Sequence, residues 1–189
     1  GEVHRVTSSG NTVTAILQGP DDPGLKTRKA LTCPFIITFN GDKKAELIIN
    51  KKKYMLVEGA YSDWISITFS ASLGIKISGI CRFLLVETQP DFKLYVTPVQ
   101  IDPDKPAMPI SFPKIYATYL AKRQGRYATL GLAEDSWALN EKCIGDDDFL
   151  EQCRRHDHER EQMFFDALEN IGRGLCVCVF DGTDRVQHS

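Results

Sequence analysis

The chain has 189 residues, 42% of them hydrophobic, and its 23 basic and 25 acidic residues give a formal charge of −2. That apolar fraction and balanced charge exclude a disordered tail. No window approaches the roughly 18 uninterrupted apolar residues of a membrane span, and near-neutral charge supplies no general field to attract nucleic acid. The length suits one domain or slightly more, with room for a real core. Residues 1–10 are polar and lead into no apolar core of the secretory type. The six cysteines, Cys33, Cys81, Cys143, Cys153, Cys176 and Cys178, match no zinc or redox spacing. Most lie in apolar runs, which predicts buried, reduced thiols and favours a reducing compartment such as the cytoplasm.

Residues 1–110 read as β-structure. Leu31 to Phe39 and Ala45 to Ile49 flank Asn40-Gly41-Asp42-Lys43, a hairpin signal because Asn-Gly accepts positive φ cheaply. Lys51-Lys52-Lys53 predicts a second turn, into Tyr54 to Val57. The alternation from Trp64 to Phe69 places Ile65, Ile67 and Phe69 on one face and Trp64, Ser66 and Thr68 on the other. Ile75 to Val86 shifts its alternation at Gly79, as a bulge would, and Phe92 to Val99 supplies a further strand. Such short strands predict an antiparallel sheet, sandwich or partly closed barrel. Five of the nine prolines (Pro98, Pro103, Pro106, Pro109, Pro113) then fall within sixteen residues, marking an extended connector.

Beyond the connector the period changes to 3.6. One helix is predicted from near Ser111, with Pro113 in its first turn, to Gly125. A short helix follows Asp135 with Trp137 and Leu139 turned inward. The clearest helix spans about 147–170. Asp146, Asp147 and Asp148 crowd its positive end, and Phe149, Cys153, His156, Met163, Phe164, Ala167 and Leu168 form a buried stripe. Gly172 and Gly174 end it. Leu175 to Phe180 is an unbroken apolar run of six, the pattern of a strand covered on both faces. The expected fold class is α+β: a β-rich antiparallel insert or cap over 1–110, then, over 111–189, helices and one buried strand of a truncated α/β core.

In open α/β sheets ligands bind beyond the carboxyl ends of strands, which directs attention to Asp181-Gly182-Thr183-Asp184-Arg185-Val186-Gln187-His188. Asp184 and His188 are four apart, so on a helix they share a face and can grip one ion. Carboxylate oxygen with imidazole nitrogen is a usual donor set for zinc. The blander alternative has Asp184 capping a helix and His188 solvated. His156-Asp157-His158-Glu159 looks metal-like, but neighbours one and two apart diverge on a helix. That places His156 in the core and His158 in solvent. Lys51–Lys53 reads as a solvated turn, and Tyr54, Tyr61 and Trp64 as strand packing rather than a stacking surface.

The run Val177 to His188 resembles the type I phosphodiesterase/nucleotide pyrophosphatase branch of the alkaline phosphatase superfamily, particularly its predicted phosphohydrolase/phosphomutase members. Leu94-Tyr95-Val96-Thr97-Pro98, Ile101-Asp102-Pro103, Pro109-Ile110-Ser111 and Thr129-Leu130-Gly131-Leu132-Ala133-Glu134-Asp135 are also similar to stretches of that family. The resemblance implies a phosphoester small-molecule substrate and two divalent metals, zinc by donor type, with Asp184 and His188 ligating one of them. It implies neither nucleic-acid nor membrane partners. The family's site also needs an early strand-end aspartate, a threonine or serine nucleophile, a later Asp-His pair and a final histidine, and none can be placed in this sequence. The resemblance therefore implies an internal segment of a longer hydrolase, with residues 1–110 as a specificity cap. By itself the segment would be inactive and prone to self-association through its exposed apolar surface. The competing class is a non-catalytic β-rich ligand- or protein-binding module.

Overall fold

The computed structural model describes residues 1–6, 11–39, 43–89 and 91–188. Its class is α+β, and the chain divides into two compact units, Gly1–Asp102 and Pro103–Ser189, each described by itself. No helix among the described residues is long and apolar enough to cross a membrane.

The first unit holds β1 (Glu2–Val6), β2 (Thr12–Asp21), β3 (Ala30–Phe39), β4 (Lys44–Ile49), β5 (Lys52–Val57), β6 (Ile65–Ser70), β7 (Lys76–Cys81), β8 (Phe83–Glu87), β9 (Phe92–Val96) and β10 (Gln100–Ile101). They form antiparallel sheets ordered β2-β3-β4-β5, β10-β7-β6 and β1-β9-β8. The two-residue period decides which faces meet: in β3, Leu31, Cys33, Phe35 and Ile37 are buried, while Thr32, Pro34 and Ile36 face out. The same alternation buries Ile65, Ile67 and Phe69 of β6. These side chains join Leu17, Leu47, Phe83 and Leu94 in one core, where Phe35 meets Phe83 edge-to-face at 5.7 Å. The β3–β4 pairing runs to Phe39↔Ala45; the Asn40-Gly41-Asp42 turn lies outside the described residues.

Two local expectations are corrected in this unit. The β4–β5 turn sits at Asn50 and Lys51, with φ of 46° and 65°, one residue earlier than the lysine run suggests. Asparagine tolerates this left-handed backbone, and its side chain clasps β6 by accepting from the Thr68 amide at 2.8 Å and donating to the Thr68 carbonyl at 3.1 Å. Gly79 makes no bulge, for the β6–β7 register runs unbroken through Ile67↔Gly79. It is glycine because β10 approaches it: a Cβ there would stand 2.7 Å from Val99 Cγ1 and 3.0 Å from the Gln100 carbonyl oxygen. The break instead falls at Arg82, whose amide donates to Thr97 Oγ1 at 2.9 Å. The Arg82 guanidinium lies 4.4 Å from the Trp64 ring centroid. Tyr61 is buried and meets Tyr95 edge-on, so the aromatics serve packing.

The second unit holds α1 (Ile115–Gln124), α2 (Ser136–Asn140), α3 (Asp146–Asn170) and α4 (Gly182–Gln187). Helix α1 starts four residues later than Ser111, whose hydroxyl reaches into it and accepts the Ala117 amide at 2.9 Å. Gly125, at φ 93°, ends it. Helix α3 begins with the Gly145 amide donating to Asp148 Oδ2 at 3.0 Å. Its stripe is buried at Phe149, Cys153 and His156, half-buried at Met163, Phe164 and Ala167, and exposed at Leu168. In α2, Asp135 accepts the Ala138 amide at 3.0 Å. That cap turns Ala138 inward, so Trp137 is exposed and Leu139 only half-buried.

The expected buried strand at Leu175–Phe180 does not form. The segment forms no regular element and belongs to no sheet, and Leu175, Val177 and Val179 are 85%, 74% and 73% exposed. A strand needs a neighbouring backbone to bond with, and the second unit holds no strand among its described residues; apolar content alone does not supply one. All six cysteines are free, with Cys33, Cys81, Cys143 and Cys153 buried and Cys176 and Cys178 half-buried.

The contact at Gly79 makes a direct test of the β10 approach. Gly79→Val should destabilise the first unit by about 1–3 kcal/mol through overpacking, read as a lower urea midpoint, and Val99→Ala in the same chain should recover part of the loss. An unchanged midpoint in the single variant would contradict the close approach.

Candidate functional site

Helix α4 carries the residues with the most chemistry. The Arg185 amide bonds to the Asp181 carbonyl at 2.9 Å and the His188 amide to the Asp184 carbonyl at 3.1 Å. This winding brings His188 Nε2 to 3.6 Å from Asp184 Oδ1, with the two side chains 73% and 68% exposed. A carboxylate oxygen and an imidazole nitrogen thus open on one side of the helix toward solvent. Among the described residues no group of three or more His, Cys, Asp or Glu side chains could hold a metal ion, so the pair provides two donors and no more.

One apolar contact leads into α4, Phe180 meeting Phe164 of α3 edge-on at 6.2 Å, and the remaining ties are polar. Arg160 of α3 pairs with Asp181 at the helix entrance and lies 3.7 Å from Asp157 Oδ1. Gly182 is buried against Asp157, and a Cβ there would overlap that carboxylate. Arg185 Nη2 donates to Ser136 Oγ at 2.7 Å, and its Nε lies 3.8 Å from Glu134 Oε2. The Glu134 side chain is fully buried, and its Oε1 lies 3.3 Å from His156 Nδ1. On the same face of α3, Gln152 Oε1 accepts the Asp135 amide at 3.0 Å and Glu159 Oε2 accepts the Ala128 amide at 2.8 Å. One side of α3 is therefore a row of buried polar groups that holds both the segment leading into α2 and the short helix α4.

Electrostatics follow from this burial. For Glu134, loss of water opposes the charge, but the hydrogen bond with His156, helped by Arg160, outweighs it and holds the carboxyl below its usual range. For Asp157, burial prevails over the attraction of Arg160, with Glu134 and Asp181 adding repulsion, and its carboxyl is pushed up. Burial likewise raises the Cys153 thiol to about 11, which leaves it protonated and inert. An open groove of about 520 Å³ runs beside Asp157, Phe164 and Phe180.

The other sequence candidates separate. His156 is buried on Glu134, while His158 points outward near Glu161, at 3.7 Å, and the two make no common site. Lys53 pairs with Glu46 at 3.1 Å on the sheet surface. Arg160, Arg185 and Glu134 escaped the sequence reading as working residues. The available signal was spacing: Arg185 stands four residues after Asp181, and Glu134-Asp135 directly precede a helix. No protein-family model, curated protein or solved structure matches this chain.

The Glu134 charge gives a pH test. Its folded-state value lies below its unfolded one, so its stabilising contribution is complete above the unfolded value, about 4.3. That contribution disappears as pH falls through the lower folded value. Glu134→Gln should cost about 1–3 kcal/mol at neutral pH and flatten the acid side of the stability–pH curve, measured by urea unfolding between neutral and acid pH. An acid limb as steep as in the wild type would show that Glu134 does not carry it.

Proposed function

We propose that this chain is a segment of a metal-dependent phosphoester hydrolase of the phosphodiesterase/nucleotide pyrophosphatase kind, contributing half of one of its two metal sites. The observation that carries the reading is the Asp184–His188 pair on α4, 3.6 Å apart and open to solvent, within the run that resembles that family. Its donor types suit zinc, and its exposure leaves room for ligands supplied by other parts of the enzyme. A divalent ion held there would polarise a phosphoryl oxygen of the substrate and stabilise charge developing on it. The chain's own part is to hold the carboxylate and imidazole on one side of a braced helix. The nucleophile and remaining ligands that the resemblance requires lie outside these residues on this reading. Two donors are too few for tight metal binding or turnover by the segment alone. The antiparallel unit serves as the substrate-selecting insert, since inserts and loops around a fixed metal core commonly carry specificity.

A second reading has one observation of its own. The outer face of the β2-β3-β4-β5 sheet exposes Ile16, Ile36, Met55 and Val57, which favours a non-catalytic binding module. Asp184→Ala in the full-length protein separates the two. On the hydrolase reading it lowers bis-p-nitrophenyl phosphate hydrolysis by at least about a hundredfold and reduces bound metal measured by elemental analysis. Hydrolysis and metal content equal to wild type would remove Asp184 as a ligand and leave the binding module standing.

A further inference from the structure

Helix α4 spans six residues, and the only one of them buried is Gly182. Its Val186 is exposed, so no apolar side chain anchors it. A helix this short does not hold itself together in water; Phe180 just before it meets Phe164 of α3 edge-on at 6.2 Å, and the ties made by Asp181 and by the helix itself are polar. Asp181 provides one through Arg160, at the entrance. Arg185 provides the other within the helix: its side chain is only 17% exposed and donates to Ser136 Oγ at 2.7 Å. Arg185 Nε and Glu134 Oε2 have no hydrogen-bond partner among the described residues and lie 3.8 Å apart, so each is the other's charge partner. Glu134 is itself fixed by His156. Successive helical residues are turned by about 100°. With Arg185 held inward, Asp184 and His188 both fall to the same side of it around the helix axis, and their side chains are 68% and 73% exposed.

We propose that Arg185 is a positioning residue for the Asp184–His188 pair: its clamp on Ser136 and Glu134 sets the roll of α4 and so the direction in which the two donors open. This rests on the metal reading above, and its test keeps the two separable. Arg185→Met keeps the side-chain stem and removes the guanidinium; Ser136→Ala removes one of its two partners and serves as the milder variant. In the 189-residue chain, amide exchange is followed at Arg185 and His188, whose amides close α4, and at α3 and the β-sheets as a control on folding. Zn²⁺ alone is then titrated while the Asp184 and His188 signals are followed by NMR, with the exposed His158 as an internal control.

The expected result for Arg185→Met is about tenfold faster exchange confined to α4 and about tenfold weaker Zn²⁺ response at Asp184 and His188, with His158 unchanged. Ser136→Ala should move both readings in the same direction by less. Unchanged α4 exchange in Arg185→Met overturns the proposal. So does faster exchange with an undiminished Zn²⁺ response, because the pair would then need no clamp. Faster exchange with no selective Zn²⁺ response even in the wild type upholds the clamp and shows that the pair does not hold zinc by itself; the metal reading is then decided by Asp184→Ala in the full-length protein.

Discussion

A carboxylate cut off from water has to be matched by donors or positive charge, and the helical unit is organised around meeting that demand at Glu134. The residue reaches His156 of α3 with one oxygen and Arg185 of α4 with the other. Three separate pieces of chain are thereby tied at a single buried point, and the exposed Asp184–His188 pair inherits its placement from that point. Buried charges are a poor source of net stability but a strong source of geometric discrimination, because few arrangements satisfy them. The helical unit spends its buried polar groups in that way. Beyond Met163, α3 and the segment after it carry no fully buried residue before Gly182; Asp166 there pairs with Arg123 of α1.

The β-unit works on the opposite principle. Its strands meet through a continuous apolar core, and polar contacts act as stitches at places where the apolar pattern leaves freedom. Asn50 is the clearest case, fixing a hairpin tip to β6 by two hydrogen bonds. Asp22 is another, accepting from the Ser72 amide and hydroxyl at 2.9 Å and 3.0 Å across fifty positions of sequence. The bond from the Gly24 amide, with those from Ser72, holds its carboxyl below the usual range.

Much of this was legible in the sequence because it depends on local period. Ile65, Ile67 and Phe69 point inward as alternation requires. The α3 stripe, the buried His156 and the exposed His158 follow from 3.6-residue spacing. What periodicity could not express were capping bonds and contacts between distant segments. Gly79 looked like a bulge because alternation says nothing of Val99 pressing on it. Trp137 looked like core because composition does not reveal that Asp135 caps the turn and rotates Ala138 inward. Leu175–Phe180 looked like a strand because residue type cannot tell whether a neighbouring backbone is present. At the candidate site, the four-residue spacing of Asp184 and His188 was visible, but the Arg185–Glu134–His156 tie beneath it links positions up to fifty-one apart.

The interruption at Arg82 has a mechanical consequence. Ile80 and Cys81 pair within the β10-β7-β6 sheet, whereas Phe83 and Leu84 pair within the β1-β9-β8 sheet. One residue is all that separates the two ladders along the chain. Neither sheet can peel away without dragging on the other through this one buried residue, so heat or force should melt the two together in one cooperative step rather than in sequence.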